Sequence, residues 1–151
     1  MRTENKVFDP FSAYSIALKK IEESGIRPTK QRRILAKILF DKGDRHISAE
    51  NLFDEVKKED RKISMATIYN TLKQFTSLGL IREIVVDQNK SLYCNNNKSH
   101  YHLYIEDEGK IHDIPTKNIN LNIPSIPACL SLHDIDVIVR VRSLKEDQKK
   151  N

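Results

Sequence analysis

Glycine and cysteine are both scarce in this 151-residue chain, four of one and two of the other, and tryptophan is missing altogether. The two cysteines, Cys94 and Cys129, form no Cys-x-x-Cys pair, which argues against a disulfide framework and suits a reducing, cytoplasmic compartment. No apolar run reaches the roughly 18 residues of a membrane helix, so no membrane partner is expected. None follows Met1-Arg2-Thr3-Glu4-Asn5-Lys6, so no signal peptide is expected either. A glycine-rich phosphate loop and a nucleophile-and-base motif are both lacking, and no enzyme is expected. Acid is lacking over one stretch: nothing between Glu23 and Asp41 is acidic, yet Arg27, Lys30, Arg32, Arg33 and Lys37 lie there. A charge run is commonly only a solvated face, but one of a single sign near a helix start is also suited to DNA phosphates. The net charge of +5 leans the same way, toward a polyanionic partner.

What is present is helical first and extended later. Gly25, Gly43 and Gly79 each follow a helical pattern, and Gly109 sits in a hairpin turn. Residues 1–8 read as a loose arm. Asp9-Pro10 predicts a helix start, with Asp9 as N-cap and Pro10 at the first helical position. Ala13, Ile16, Ala17, Leu18 and Ile21 form its apolar stripe. A second helix begins at Thr29 and buries Ile34, Leu35, Ile38 and Leu39; a third begins at Ser48 and carries Leu52, Phe53 and Val56. The fourth, Ser64–Leu78, opens on an N-cap serine and repeats Ile68, Leu72, Phe75 and Leu78 on one face. Its other face presents Thr67, Tyr69, Asn70, Lys73 and Gln74, side chains that reach phosphates and base edges. Strands Leu80–Val86 and Lys90–Cys94 then flank the turn Asp87-Gln88-Asn89. Helix, glycine and hairpin in that order end a winged helix, so Ser64–Leu78 reads as a recognition helix. An ordinary amphipathic surface helix would carry the same apolar pattern.

The run Asn95-Asn96-Asn97-Lys98 has nothing to bury and reads as a hinge. Beyond it come strand candidates Tyr101–Glu106, Lys110–Ile114 and Ile135–Arg142, with a proline-bearing loop from Pro115 to Leu132 and at most one short helix between. Three strands leave exposed edges and too small a core to stand alone, so pairing with a second copy is expected. The fold class is therefore α+β: a winged-helix DNA-binding domain at 9–94, a hinge at 95–98, a short strand-bearing domain at 99–143 expected to pair with a second copy, and a disordered tail at 144–151. Within the second domain, His100 and His102 stand two apart in a strand and share a face with Tyr104, while Tyr101 points the other way. Two imidazoles on one face begin a divalent metal site, though such a pair is more often structural.

Taken in order, Arg27-Pro28-Thr29-Lys30-Gln31-Arg32, His46-Ile47-Ser48-Ala49-Glu50-Asn51-Leu52, Ser64-Met65-Ala66-Thr67-Ile68-Tyr69-Asn70-Thr71-Leu72, Gly79-Leu80-Ile81 and His100-Tyr101-His102-Leu103 resemble the ferric uptake regulator family of bacterial metal-sensing repressors. The resemblance covers roughly residues 14–142. Within the family, Gly43-Asp44-Arg45-His46, Leu80-Ile81-Arg82-Glu83-Ile84, His112-Asp113-Ile114-Pro115 and Asp136-Val137-Ile138-Val139-Arg140-Val141-Arg142 are most similar to the haem-responsive iron response regulators of alphaproteobacteria.

That resemblance implies that 99–143 is a short α/β dimerisation and effector domain, and that the protein is a homodimer on an AT-rich palindromic operator, repressing genes of iron and haem homeostasis. It implies one regulatory divalent ion per subunit (iron, manganese or zinc) held by His46, Asp87, His100, His102 and Asp113. His46 as a helix cap, Asp87 as a turn residue and Asp113 as a solvated charge remain the plain alternatives. For DNA it implies Tyr69 on bases, with Ser64, Ala66, Thr67 and Asn70 beside it, and Thr29, Lys30 and Arg32 on the backbone. The chain also departs from the family pattern. Where many members begin the first of two Cys-x-x-Cys pairs, Ile105 and Glu108 stand, so a four-cysteine structural zinc is not expected. Where iron response regulators carry three consecutive histidines, the middle one is Tyr101; haem on His100, His102 or Tyr101 stays open. A sensor of another metal or of peroxide, or a protein-interaction module without DNA, are the alternative functions.

Overall fold

The computed structural model describes residues 9–145, which form two compact units that divide between Asn97 and Lys98. The expected arm at 1–8 and most of the expected tail at 144–151 lie outside the described residues.

The first unit holds helices α1 (Ala13–Glu23), α2 (Lys30–Phe40), α3 (Ala49–Lys58) and α4 (Met65–Ser77) and strands β1 (His46–Ile47), β2 (Arg82–Asp87) and β3 (Lys90–Cys94). Each helix starts where a hydroxyl accepts an otherwise orphaned amide hydrogen. Thr29 accepts from Arg32, Ser48 from Asn51 and Ser64 from Thr67. At α1 the start differs from the sequence expectation. The cap is Ser12, whose hydroxyl accepts from the Ser15 amide at 3.1 Å. Asp9 and Pro10 belong to a turn before it, in which the Asp9 carboxylate accepts from the Phe11 amide and the Asp9 carbonyl from Ser12. A proline after an aspartate suits that turn as well as it suits a helix start, and the serine decided between them.

Heptad-like apolar spacing puts Ile21, Leu35, Leu39, Leu52, Val56, Ile68, Leu72 and Phe75 into one core. The stripe assigned to α1 is narrower than expected: Ala17 and Ile21 are buried, whereas Ile16 is exposed. After α4 the chain turns through Gly79 at φ 68°, the left-handed position. There the Gly79 amide donates to Thr76 and the Leu80 amide to Phe75, which satisfies the last carbonyls of the helix. The following hairpin carries the sheet β1-β3-β2, antiparallel throughout.

The second unit holds β4 (His100–Ile105), β5 (Lys110–Pro115), a 3-10 turn (Thr116–Asn118) and β6 (Ile138–Val141). The sheet order is β5-β4-β6, with β5 antiparallel and β6 parallel to β4. Among the described residues the 3-10 turn is the whole of the helical structure in this unit, and β6 is four residues where eight were expected. The Asp107-Glu108-Gly109 turn closes as the sequence suggests, with Gly109 at φ 63°. Among the described residues no helix is long and apolar enough to cross a membrane.

Candidate metal centre and nucleic-acid interface

In the second unit, strand alternation brings three metal-binding side chains together. His100 and His102 lie on one face of β4 and both are buried. Their Nε2 atoms are 3.0 Å apart, with the rings edge-on. Asp113 is the direct cross-strand partner of His102, and its Oδ1 lies 3.3 Å from His100 Nε2 and 3.6 Å from His102 Nε2. Three ligand atoms each about 2.1 Å from one tetrahedral ion would stand about 3.4 Å from one another. The donor set therefore fits a divalent ion without rearrangement. The tautomer fits as well: the Lys98 carbonyl, 2.5 Å from His100 Nδ1, can only accept, so Nδ1 carries the proton and Nε2 the lone pair when the ring is neutral. Tyr104 lies on the same face with the Arg140 guanidinium 5.8 Å from its ring, and Tyr101 lies on the opposite face.

In the first unit, His46 on β1 is paired with Cys94 on β3. Residues directly opposite in an antiparallel ladder have Cβ atoms about 5 Å apart, so an imidazole and a thiolate there can reach a common ion. The pair is clamped from both flanks. The Asn95 side chain accepts from the Arg45 amide at 2.7 Å and donates to the carbonyls of Leu39 and Gly43. The Arg45 guanidinium is bound to the Glu55 carboxylate of α3, which lies well below the usual carboxylate range, at about 2, chiefly because of that bond.

Asp87 does not share this place. It pairs with Lys90, four residues from Cys94 along β3, or about 13 Å at strand rise, too far for one ion to join it to His46. Its carboxylate accepts from the Gln88 amide at 2.7 Å, the turn role that an aspartate in that position ordinarily has. The residue that the ladder places across from His46 is Cys94. Cys94 is the last residue of its strand, and only the pairing with β1 reveals what lies across from it.

The face of α4 turned away from the core exposes Tyr69 and Asn70, with Ser64 and Ala66 exposed and Thr67 half-buried at its start. Thr29 and Lys30 are exposed at the start of α2. Arg32 is more constrained than the sequence suggests. Its Nε donates to Gln74 on α4 at 3.0 Å and its Nη1 to the Arg27 carbonyl at 2.7 Å, so it ties α2 to α4. Tyr69 also has a partner that sequence reasoning did not supply: its hydroxyl donates to Glu50 on α3 at 2.7 Å.

The model of the ferric uptake regulator family matches residues 23–139. The chain belongs to the ferric uptake regulator family. Members are DNA-binding, metal-responsive transcription regulators that act as dimers; they are not enzymes. The peroxide-responsive repressor PerR of Staphylococcus aureus strain Mu50 is 30% identical over 104 residues, 69% of this chain and 70% of that one. The manganese-bound ferric uptake regulator of Pseudomonas aeruginosa superposes with a TM-score of 0.65 at 19% identity, covering 86% of this chain and 99% of that chain. A zinc-bound manganese uptake regulator superposes at 0.59 with 28% identity, over 85% and 98%. The fold class is accordingly an N-terminal winged helix with a C-terminal dimerisation domain.

Proposed function

We propose that this chain is a dimeric, cytoplasmic repressor of the iron response regulator type, acting on iron and haem homeostasis genes through an AT-rich palindromic operator and switched by one divalent ion per subunit. The observation that carries the reading is the convergence of His100 Nε2, His102 Nε2 and Asp113 Oδ1 within 3.6 Å. The DNA-facing set is Tyr69, Ser64, Ala66, Thr67 and Asn70 on α4, with Thr29, Lys30 and Arg32 on the backbone. The resemblance adds His46 to the ion's ligands; within the first unit its ladder partner is Cys94 and not Asp87. A thiolate beside an imidazole favours zinc or cobalt over manganese. Haem would draw on His100 or His102 and so would compete with the ion.

The test is metal analysis, operator affinity and a haem titration on tag-free protein beside two variants. In His100→Ala/His102→Ala the ion is expected to be lost and operator affinity to change by several-fold or more, while the fold and the dimer persist, because metal and DNA binding are reciprocally linked. In Cys94→Ser reconstituted with cobalt, the intense near-ultraviolet thiolate-to-cobalt band of the parent is expected to vanish. Unchanged metal content in the double variant would remove His100 and His102 from the site. Metal loss with unchanged operator affinity would make the ion structural. A haem complex unaffected by the ion would place haem elsewhere.

A further inference from the structure

The carboxylate attached to Tyr69 is out of keeping with its surroundings. No acid occurs in α4, and none occurs in α2 or in the segment between Glu23 and Asp41. Glu50 nevertheless sits in the first turn of α3, exposed, with its Oε1 2.7 Å from the Tyr69 hydroxyl on the exposed face of the neighbouring helix. The two side chains line one cavity of about 430 Å3 between the helices and the hairpin, together with Glu83, Asn89, Lys90 and Tyr93. A phenol has one proton, and here it is given to the carboxylate. The Tyr69 oxygen is left with lone pairs only, beside an anion with lone pairs only.

A surface of this kind treats the two parts of DNA in opposite ways. A phosphate oxygen brings negative charge and lone pairs, and it meets the same on Glu50, Glu83 and the Tyr69 oxygen, with Lys90 as the cation in the same cavity; like-charge juxtaposition at an interface is unfavourable. The exocyclic amino group of cytosine or adenine, exposed in the major groove, brings a donor and meets two acceptors. Resting on the DNA-binding reading above, we infer that Glu50 and Tyr69 together form a specificity element: they accept a hydrogen bond from an amino-bearing base and turn away the phosphate backbone. Tyr69 is then not a phosphate contact, and Glu50 sets both the direction of its hydroxyl and the sign of the local field. The bond also preserves itself. Tyr69 holds the Glu50 carboxyl below the usual carboxylate range, and Glu50 pushes the Tyr69 phenol up, so the proton and the charge stay where they are at neutral pH.

The experiment uses the full chain and three proteins: the parent, Glu50→Gln and Glu50→Asp. Each is checked for fold by circular dichroism, then measured for affinity to random-sequence duplex across a salt series, and used to select from a randomised duplex library. Glu50→Gln keeps size and an acceptor for Tyr69 but removes the charge. It is expected to bind random duplex roughly tenfold more tightly, with a steeper salt dependence, and to lose preference at one position per half-site where the parent selects adenine or cytosine. Glu50→Asp keeps the charge but is too short to hold the hydroxyl. It is expected to keep weak random binding and lose the base preference. Selection of the same sequences by all three proteins, or equal affinity of parent and Glu50→Gln for random duplex, would overturn the inference. Absence of any duplex binding by the parent would instead fail the DNA-binding reading itself, which keeps the two apart.

Discussion

Among the described residues, Asp60 is the non-glycine residue with a positive φ. It follows α3 at φ 55°, the left-handed position that usually belongs to glycine. The hydrogen bonds around it close the helix end as they do at Gly79: the Asp60 amide donates to Lys57 and the Arg61 amide to Val56. The geometry is therefore required by the helix terminus, and a side chain there is strained without being prevented. Asp60→Gly is expected to stabilise the protein by about 1 kcal/mol, read as a rise in melting temperature of about 4–8 °C for a unit of this size. An unchanged or lower melting temperature would show that the aspartate side chain compensates the strain. The same contrast explains what was legible at single positions. The glycines and the hydroxyl caps announce backbone geometry through their own chemistry, so the stops at Gly25 and Gly79 and the starts at Thr29, Ser48 and Ser64 were readable. Asp60 announces nothing, and Asp9-Pro10 announces a turn and a helix start equally well.

At the scale of elements, α3 is tied to the strand that carries His46. Glu55 on α3 binds Arg45, which immediately precedes β1, and also Lys42 at 3.0 Å. The Glu55 carboxyl is lowered from the ordinary 4.5 to about 2, so its folded form is the more acidic one. A depressed carboxylate contributes stability above its unfolded pKa, and that contribution is lost as pH falls from about 4.5 through about 2. The whole shift corresponds to at most about 3 kcal/mol, and less in practice because the side chain is partly exposed. Glu55→Gln is expected to unfold at lower urea than the parent at pH 7, with the gap closing as pH drops toward 2. A gap independent of pH would assign Glu55's contribution to packing. Pairings of this kind explain where sequence reading ran short. α4 and the β2–β3 hairpin have periods long enough to see, whereas β1 is two residues long and has no period at all. With β1 unseen, Cys94 was unseen as the ladder neighbour of His46. Glu50 and Tyr69 were hidden for the same reason: each was read on its own helix, and the bond that joins them spans 19 positions.

The molecule as a whole has a large first core and a small second sheet. In the second unit the outer edges belong to β5 and β6, and the connection between β5 and β6 leaves Leu121, Ile123, Ile126, Leu130 and Leu132 exposed in the single chain. Apolar side chains and open sheet edges on a unit of this size call for a partner surface. Light scattering at micromolar concentration is expected to give twice the chain mass of 17.5 kDa, and Leu130→Asp/Leu132→Asp is expected to shift it toward the monomer. A single 17.5 kDa species in the parent would end the proposal that this chain pairs with itself.

Local patterns in the sequence by themselves determined the class of the fold, the four helices, the wing hairpin, the alternation that puts His100 and His102 on one face, and the family. Those features are local, and a period or a cap is complete within a dozen residues. Tertiary structure alone decided which groups meet across the chain. Asp113 came opposite His102 through the β4–β5 register, Cys94 opposite His46 through β1, and Glu50 against Tyr69 through the packing of α3 on α4. It also decided that β6 runs parallel to β4 and shrinks to four residues. Pairing partners are chosen by the closure of loops and the burial of a shared core, and neither is written in the spacing of any one segment.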